Sequence, residues 1–320
     1  MFHKRSVTAF CTYRNQLVSA SLDKTIKFWD SDARCLHTIN PPTEYGISSM
    51  AILPNEKLLV GTNNGTIFIY DCNNINAAPQ IVNTNQQSPV RAIAVFPNNE
   101  WVSANDNVLT FWDKEGNEVD ALILRTNIII YSVATIAQDT VAIGLNNNEI
   151  RIRNVKTGNQ KTLSGHEGTV FSLSVFNNTL ASGSLDRTIK IWDLKTTQLL
   201  ATYTDHNSPV YSLHYIVQND LLVSGSEDGK MMYWNVKDFR SIKFRVHPPQ
   251  LGPVEAIIGC WNGVITGAMN GEIKSWQLVE FPQATARPCL ASPQHQNNQQ
   301  EVADVSPRTS QFIRVIRTNS

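Results

Sequence analysis

The chain has 320 residues, of which 42% are hydrophobic and 17% charged, with 27 Lys plus Arg set against 27 Asp plus Glu. Those are the proportions of a globular protein with room for a core, and a formal net charge of zero without clustered bases gives no footprint for direct nucleic-acid binding. The longest apolar run, around Ile128 to Ala137, is too short to span a bilayer, so membrane insertion is not expected, and five scattered cysteines without Cys-x-x-Cys spacing read as reduced thiols of a cytoplasmic protein, the nucleus being the alternative.

Taken in order, the chain repeats one unit. Val7 to Cys11 reads as a strand, Leu17 to Asp30 as two strands about a corner at Asp23, and Cys35 to Ile39 as a fourth strand. The same grammar returns from Ile47 with Leu58 to Asp71, from Val90 with Trp101 to Asp113, and from Ile130 with Val141 to Asn154. It continues from Val170 with Thr179 to Asp193, from Val210 with Leu221 to Asn235, and from Val254 with Gly263 to Gln277. Each third strand ends at one slot, filled in turn by Trp29, Tyr70, Trp112, Arg153, Trp192, Trp234 and Trp276, at spacings of 39 to 42 residues. Five of the seven tryptophans sit there, which composition alone would not produce. Beyond Gln277 come Pro282, Pro288, Pro293 and the polar run Gln296 to Gln300, then the β-rich segment Gln311 to Arg317.

Units of this length hold four short strands and tight turns, and seven of them resemble the WD-repeat family over roughly residues 3 to 278. The expected fold is all-β, a single-domain seven-bladed WD-repeat β-propeller over residues 1–280, with a flexible low-complexity loop over 281–310. In many members of the family the N-terminus closes the ring as the outer strand of the last blade. Here the chain begins almost at the innermost strand of blade one, so that role is expected to fall to residues 311–317.

His166, a strand serine, Asp186 and Trp192 contain the ingredients of a nucleophilic triad. The serine is Ser182 or Ser184, with Ser184 the choice. The set recurs as His3, Ser19 or Ser21, Asp23 and Trp29, and as His206, Ser224 or Ser226, Asp228 and Trp234. An enzyme needs one site, whereas a structural network is needed once per blade, so no catalysis is expected. In the WD-repeat family these residue types resemble a tetrad that satisfies itself inside the blade. The corner acceptors Asp23, Asn64, Asp106, Asn147, Asp186, Asp228 and Asn270 read as turn chemistry, so neither a metal nor a cofactor is expected.

Function is then expected on an exposed face. The residue after the first apolar position of each innermost strand is free to project there: Thr8, Ser48, Arg91, Tyr131, Phe171, Tyr211 and Glu255. The corners add Leu22, Lys24, Leu185 and Arg187. Aromatic and Arg side chains suit a protein or peptide partner of unknown identity rather than a small-molecule substrate. The reading is a non-catalytic scaffold or recognition subunit. Two alternatives remain: a ubiquitin-ligase substrate receptor or ubiquitin-binding propeller, and a propeller hydrolase with a central metal.

Overall fold

Each unit folds as a four-stranded antiparallel meander because its apolar residues recur in period two. In Ile189–Asp193 the residues Ile189, Ile191 and Trp192 are buried while Lys190 is half-buried. The computed structural model describes residues 1–236, 241–246, 252–261 and 263–277. They form seven sheets, six of four strands and one of three. Blade one is Val7–Tyr13, Gln16–Ser21, Ile26–Trp29 and Cys35–Ile39, hydrogen-bonded in chain order. First strands pack side by side around the ring, and Val254–Cys260 lies against Val7–Tyr13 to close it.

The core is the set of seams between blades. Val18, Ala20 and Phe28 of blade one pack with Ile47, Leu58 and Phe68 of blade two, and Val7, Leu17 and Trp29 pack with Ile265 and Ile273 across the closing seam. Each fully buried Val, Leu or Ile contributes about 1.5–3 kcal/mol relative to exposure, so every blade depends on both neighbours.

A β-bulge sits at the start of every first strand. Val7 pairs with Ser21 and Ala9 with Ala20, so Thr8 is skipped. The same step skips Ser48, Arg91, Tyr131, Phe171, Tyr211 and Glu255. An extra residue at a bulge is released from pairing and its side chain is re-aimed. The following residue holds the seam: the Ser49, Ser132 and Ser212 hydroxyls donate to the carbonyls of Val90, Val170 and Val254 in the next blade, at 2.6, 3.2 and 3.1 Å.

Blade seven corrects one expectation. Beside its strands Val254–Cys260, Gly263–Ala268 and Ile273–Gln277, the N-terminus does contribute an edge: Phe2 bridges Glu272, His3 N–H donates to Gly271 O at 2.8 Å, and Ile273 N–H donates to Met1 O at 3.1 Å. Residues 1–6, extended, reach about 20 Å, and three strand spacings need only about 14 Å. The segments 281–310 and 311–317 lie outside the described residues.

Candidate functional site

In blade five, His166 Nδ1 lies 2.7 Å from Asp186 Oδ2 and Nε2 lies 2.7 Å from Ser182 Oγ, which also accepts the Trp192 indole N–H at 2.8 Å. Blade one repeats this with His3 3.0 Å from Asp23 and 2.7 Å from Ser19, and Trp29 2.8 Å from the same hydroxyl. The network serine is therefore Ser182 and not Ser184. Ser184 lies about 7 Å further along the strand. There its hydroxyl donates to Gly168 O at 2.9 Å and accepts the Asp186 N–H at 3.1 Å, tightening the corner. Ser19, Ser182 and Ser224 are all fully buried, so these hydroxyls bind a hairpin together and do not present a nucleophile.

The sequence reading missed a fifth member. Thr25 Oγ1 donates to Asp23 Oδ1 at 2.6 Å, and Thr188 does the same to Asp186 at 2.7 Å. The signal was the Asp-x-Thr spacing shared by these two corners. Blade six has Asp228-Gly229-Lys230 instead, and there the network opens: Lys230 Nζ draws Asp228 Oδ2 to 3.0 Å. His206 keeps Ser224 at 2.7 Å, and Trp234 donates to that serine at 2.8 Å, but His206 Nδ1 has no hydrogen-bond partner. Asp228 is thus not joined to His206 as the sequence reading expected.

These differences appear in the titration of the groups. Burial opposes ionisation of Asp23 and Asp186, yet bonds from the imidazole, the threonine and a backbone N–H outweigh it and hold both carboxyls well below the usual range. Burial drives His206 down to about 4, with Asp228 and Asp205 resisting and Lys230 adding to the effect.

The Asp after the tryptophan has its own task. Asp30 Oδ1 accepts the N–H groups of Asp32 and Arg34 at 3.0 and 2.9 Å, and Asp113 and Asp193 do likewise for their own loops. Blades three and seven keep the indole bond without a histidine, Trp112 to Ser103 and Trp276 to Thr266, both at 2.9 Å.

At the bulge positions the structure brings five side chains into one line. Arg91 stacks over the Tyr131 ring at 5.1 Å and reaches Asp106 Oδ1 at 3.5 Å. Tyr131 meets Phe171 edge-on at 5.3 Å, and Phe171 meets Tyr211 edge-on at 5.1 Å. Burial together with the neighbouring Glu227 and Glu255 raises the Tyr211 phenol. Glu255 accepts a short hydrogen bond from Ser6, and burial pushes its carboxyl up against that bond. Thr8 and Ser48 instead bond across the seam, to Ile47 O and Val90 O at 2.9 Å.

The corners lie at the same end of the blades, since Leu185 N–H donates to Thr169 O at 2.9 Å, two residues before Phe171. Leu185 is 47% exposed, and Leu22 is half-buried. Lys24 pairs with Glu44 at 2.9 Å. Lys24 and Arg187 hold left-handed φ of 72° and 71°, where three other blades use Gly65, Gly229 and Gly271. A non-glycine residue there costs about 1–2 kcal/mol. Asp106 has no such corner, because the blade-three hairpin is one residue tighter, with Asn105 opposite Val108. Among the described residues no three His, Cys, Asp or Glu side chains converge as metal ligands, and no helix is long and apolar enough to cross a membrane.

Comparison with known proteins gives the same architecture. Residues 2–30 and 33–71 match the family described as WD domain, G-beta repeat, and residues 166–236 match the TEP-1 C-terminal beta-propeller. The chain is 26% identical over 219 residues to the DENN domain and WD repeat-containing protein SCD1 of Arabidopsis thaliana, covering 59% of this chain and 17% of that protein. It is 25% identical over 257 residues to the ribosome biogenesis protein YTM1 of Scheffersomyces stipitis, covering 72% of this chain and 52% of that one. The chain thus spans about half or less of the length of these relatives. The crystal structure of the computationally designed Ika8 protein superposes with a TM-score of 0.68 at 23% identity, over 87% of this chain and 98% of the other, a likeness of fold alone.

Proposed function

We propose, for a chain that belongs to the WD-repeat β-propeller family, that it is a non-catalytic interaction scaffold which docks a peptide or protein partner on the face carrying Tyr131, Phe171 and Tyr211. The observation that carries this is the continuous line from Arg91 to Glu255, five consecutive blades long, in which every side chain occupies a bulge and is only half-buried. Aromatic rings held edge-to-face lose little rotamer freedom on binding, and an Arg end and a Glu end give the band a polarity that a partner must match.

Lys24 and Arg187 support the same face. A framework that needed only a tight corner would use glycine there, as blades two, six and seven do. Keeping a long basic side chain in a left-handed conformation accords with a contact outside the blade. The reading places the protein in a larger assembly, as the name of the ribosome biogenesis relative suggests for that protein. The described cysteines Cys11, Cys35, Cys72 and Cys260 are free thiols, which fits a cytoplasmic or nuclear setting.

The test is affinity capture with the full chain, comparing wild type with Phe171→Ala and Arg187→Gly. Phe171→Ala should release the captured partners while the far-ultraviolet spectrum is unchanged. Arg187→Gly should raise stability by about 0.5–1 kcal/mol and weaken capture. Retention of the same partners at wild-type levels by both folded variants would sink the assignment.

A further inference from the structure

The band from Arg91 to Glu255 ends differently on its two sides. At the blade-three end three parts meet: the Tyr131 ring, the Arg91 guanidinium stacked over it at 5.1 Å, and the Asp106 carboxylate 3.5 Å from that guanidinium. A cation within about 6 Å of a ring centroid is held by the negative face of the ring, and the carboxylate adds a charge-assisted bond. A ring raised on a first-strand bulge is thus open to a guanidinium lying over it.

At the blade-six end the ring and the carboxylates are present without the cation. Tyr211 occupies the same bulge position as Tyr131, and Phe171 meets it edge-on at 5.1 Å from the blade-five side. Glu227, at the blade-six corner, stands beside the Tyr211 hydroxyl, and Glu255 of blade seven is close enough to raise the same phenol. Among the described residues neither carboxylate has a Lys, Arg or His within ion-pair distance, whereas Asp106, Glu149, Asp228 and Glu272 each have one.

Glu227 is exposed, but Glu255 is half-buried, and a carboxylate withdrawn from water without a cation is costly. Ser6 donates to Glu255 Oε2, and among the described residues Oε1 has no donor. Burial raises the Glu255 carboxyl, only the Ser6 bond opposes it, and no cation contributes. A bond across the seam does not by itself call for a carboxylate: at this place in blades one and two, Thr8 and Ser48 make one through hydroxyls.

We infer that the blade-six end of the band is an arginine subsite, in which an arginine of the partner protein or peptide lays its guanidinium on Tyr211 and directs its N–H groups to Glu255 and Glu227. It completes there the set of ring, guanidinium and carboxylate that Arg91 completes at the other end. Guanidinium suits the place better than ammonium, because it is planar, stacks on a ring and presents its donors in a fixed fork. The inference rests on the reading that a partner docks on this face, and names the chemistry that the partner brings to it.

The experiment uses the full chain with isotope-labelled tyrosine, the Tyr211 ring signal being identified by its loss in Tyr211→Phe. Titration with N-acetyl-glycyl-arginyl-glycine amide, to on the order of 10 mM, should move that signal saturably. The citrulline counterpart, of the same shape without the charge, should bind at least about five-fold more weakly, and raising NaCl from about 0.05 to about 0.5 M should weaken only the arginine peptide. Glu255→Gln, which can still accept from Ser6, should bring the arginine-to-citrulline ratio below about two-fold with the far-ultraviolet spectrum unchanged. A Tyr211 signal that does not respond to the arginine peptide, or that responds equally to both peptides in the wild-type chain, overturns the inference. In affinity capture, Glu255→Gln should lose the partners that Phe171→Ala loses. Partners lost by Phe171→Ala but fully retained by Glu255→Gln overturn the arginine subsite and leave the docking face standing.

Discussion

Lys230 shows what one side chain can do to a blade. In blades one and five the residue two after the corner aspartate is threonine, and its hydroxyl joins the Asp–His pair. In blade six the ammonium draws Asp228 away, and His206 is left buried with one nitrogen unpartnered. Its folded value near 4 lies below the ordinary 6.5 of imidazole, so the unfolded chain takes up the proton first as the pH drops. Stability present above about pH 6.5 is therefore lost between there and pH 4, by on the order of 2–3 kcal/mol. Lys230→Thr should return Asp228 to His206 and at least halve that loss, measured by urea denaturation at pH 7 and pH 4.5. His214 is also pushed down to about 4 by burial, but it is present in both proteins, so the difference between them isolates His206. An unchanged pH dependence in the variant rules out this account of the blade-six network.

Between blades, the first two strands of each unit decide how closely neighbours approach. A Cβ on Gly61 would come 2.5 Å from Ser49 Oγ and 2.7 Å from Val90 Cβ, so Gly61→Ala should cost about 1–3 kcal/mol. The ring carries its own control: in blades one and three alanine does stand here, as Ala20 and Ala104, and the residues opposite are Ala9 and Ala92 with no hydroxyl. The cost of Gly61→Ala, read from denaturant midpoints, should therefore fall by about 1 kcal/mol in a Ser49→Ala background. Strict additivity of the two changes refutes the coupling. The elements themselves were legible in the sequence, because repetition multiplies a weak period-two signal by seven. What was not legible was anything set by distance along a strand rather than residue type. Ser182 and Ser184 share a face and a chemistry, and only the reach of the Trp192 indole chooses between them. Likewise Arg91, Tyr131, Phe171, Tyr211 and Glu255 could be named from alternation, but the bulge that frees them and the edge-to-face contacts that join them arise from pairing register, which spans residues far apart in the chain.

At the scale of the ring, the seam between blades seven and one must be as strong as the other six, because a closed array fails at its weakest junction. Val7, Leu17 and Trp29 pack with Ile265 and Ile273 from the inside. On the outside, residues 1–3 hold only the start of the third strand, at Gly271 to Ile273, whereas each of the other six blades has a fourth strand. Among the described residues nothing pairs with the outer edge of Lys274 to Gln277. An unpaired strand edge is open to association with other chains, and the β-rich segment Gln311 to Arg317 is available to cover it, with Phe312 and Ile316 on one face of an extended strand and Ile313 and Val315 on the other. Burying two or three such side chains amounts to about 3–6 kcal/mol, so deleting residues 308–320 should lower the thermal midpoint by about 5 °C or more and promote oligomers visible by light scattering. Phe2→Pro, which disturbs the other half of the clasp, should lower it further in the same background, since the two segments would hold different lengths of one strand. If deletion leaves the midpoint and the monomer unchanged, residues 1–3 alone close the ring and the C-terminal segment has another role.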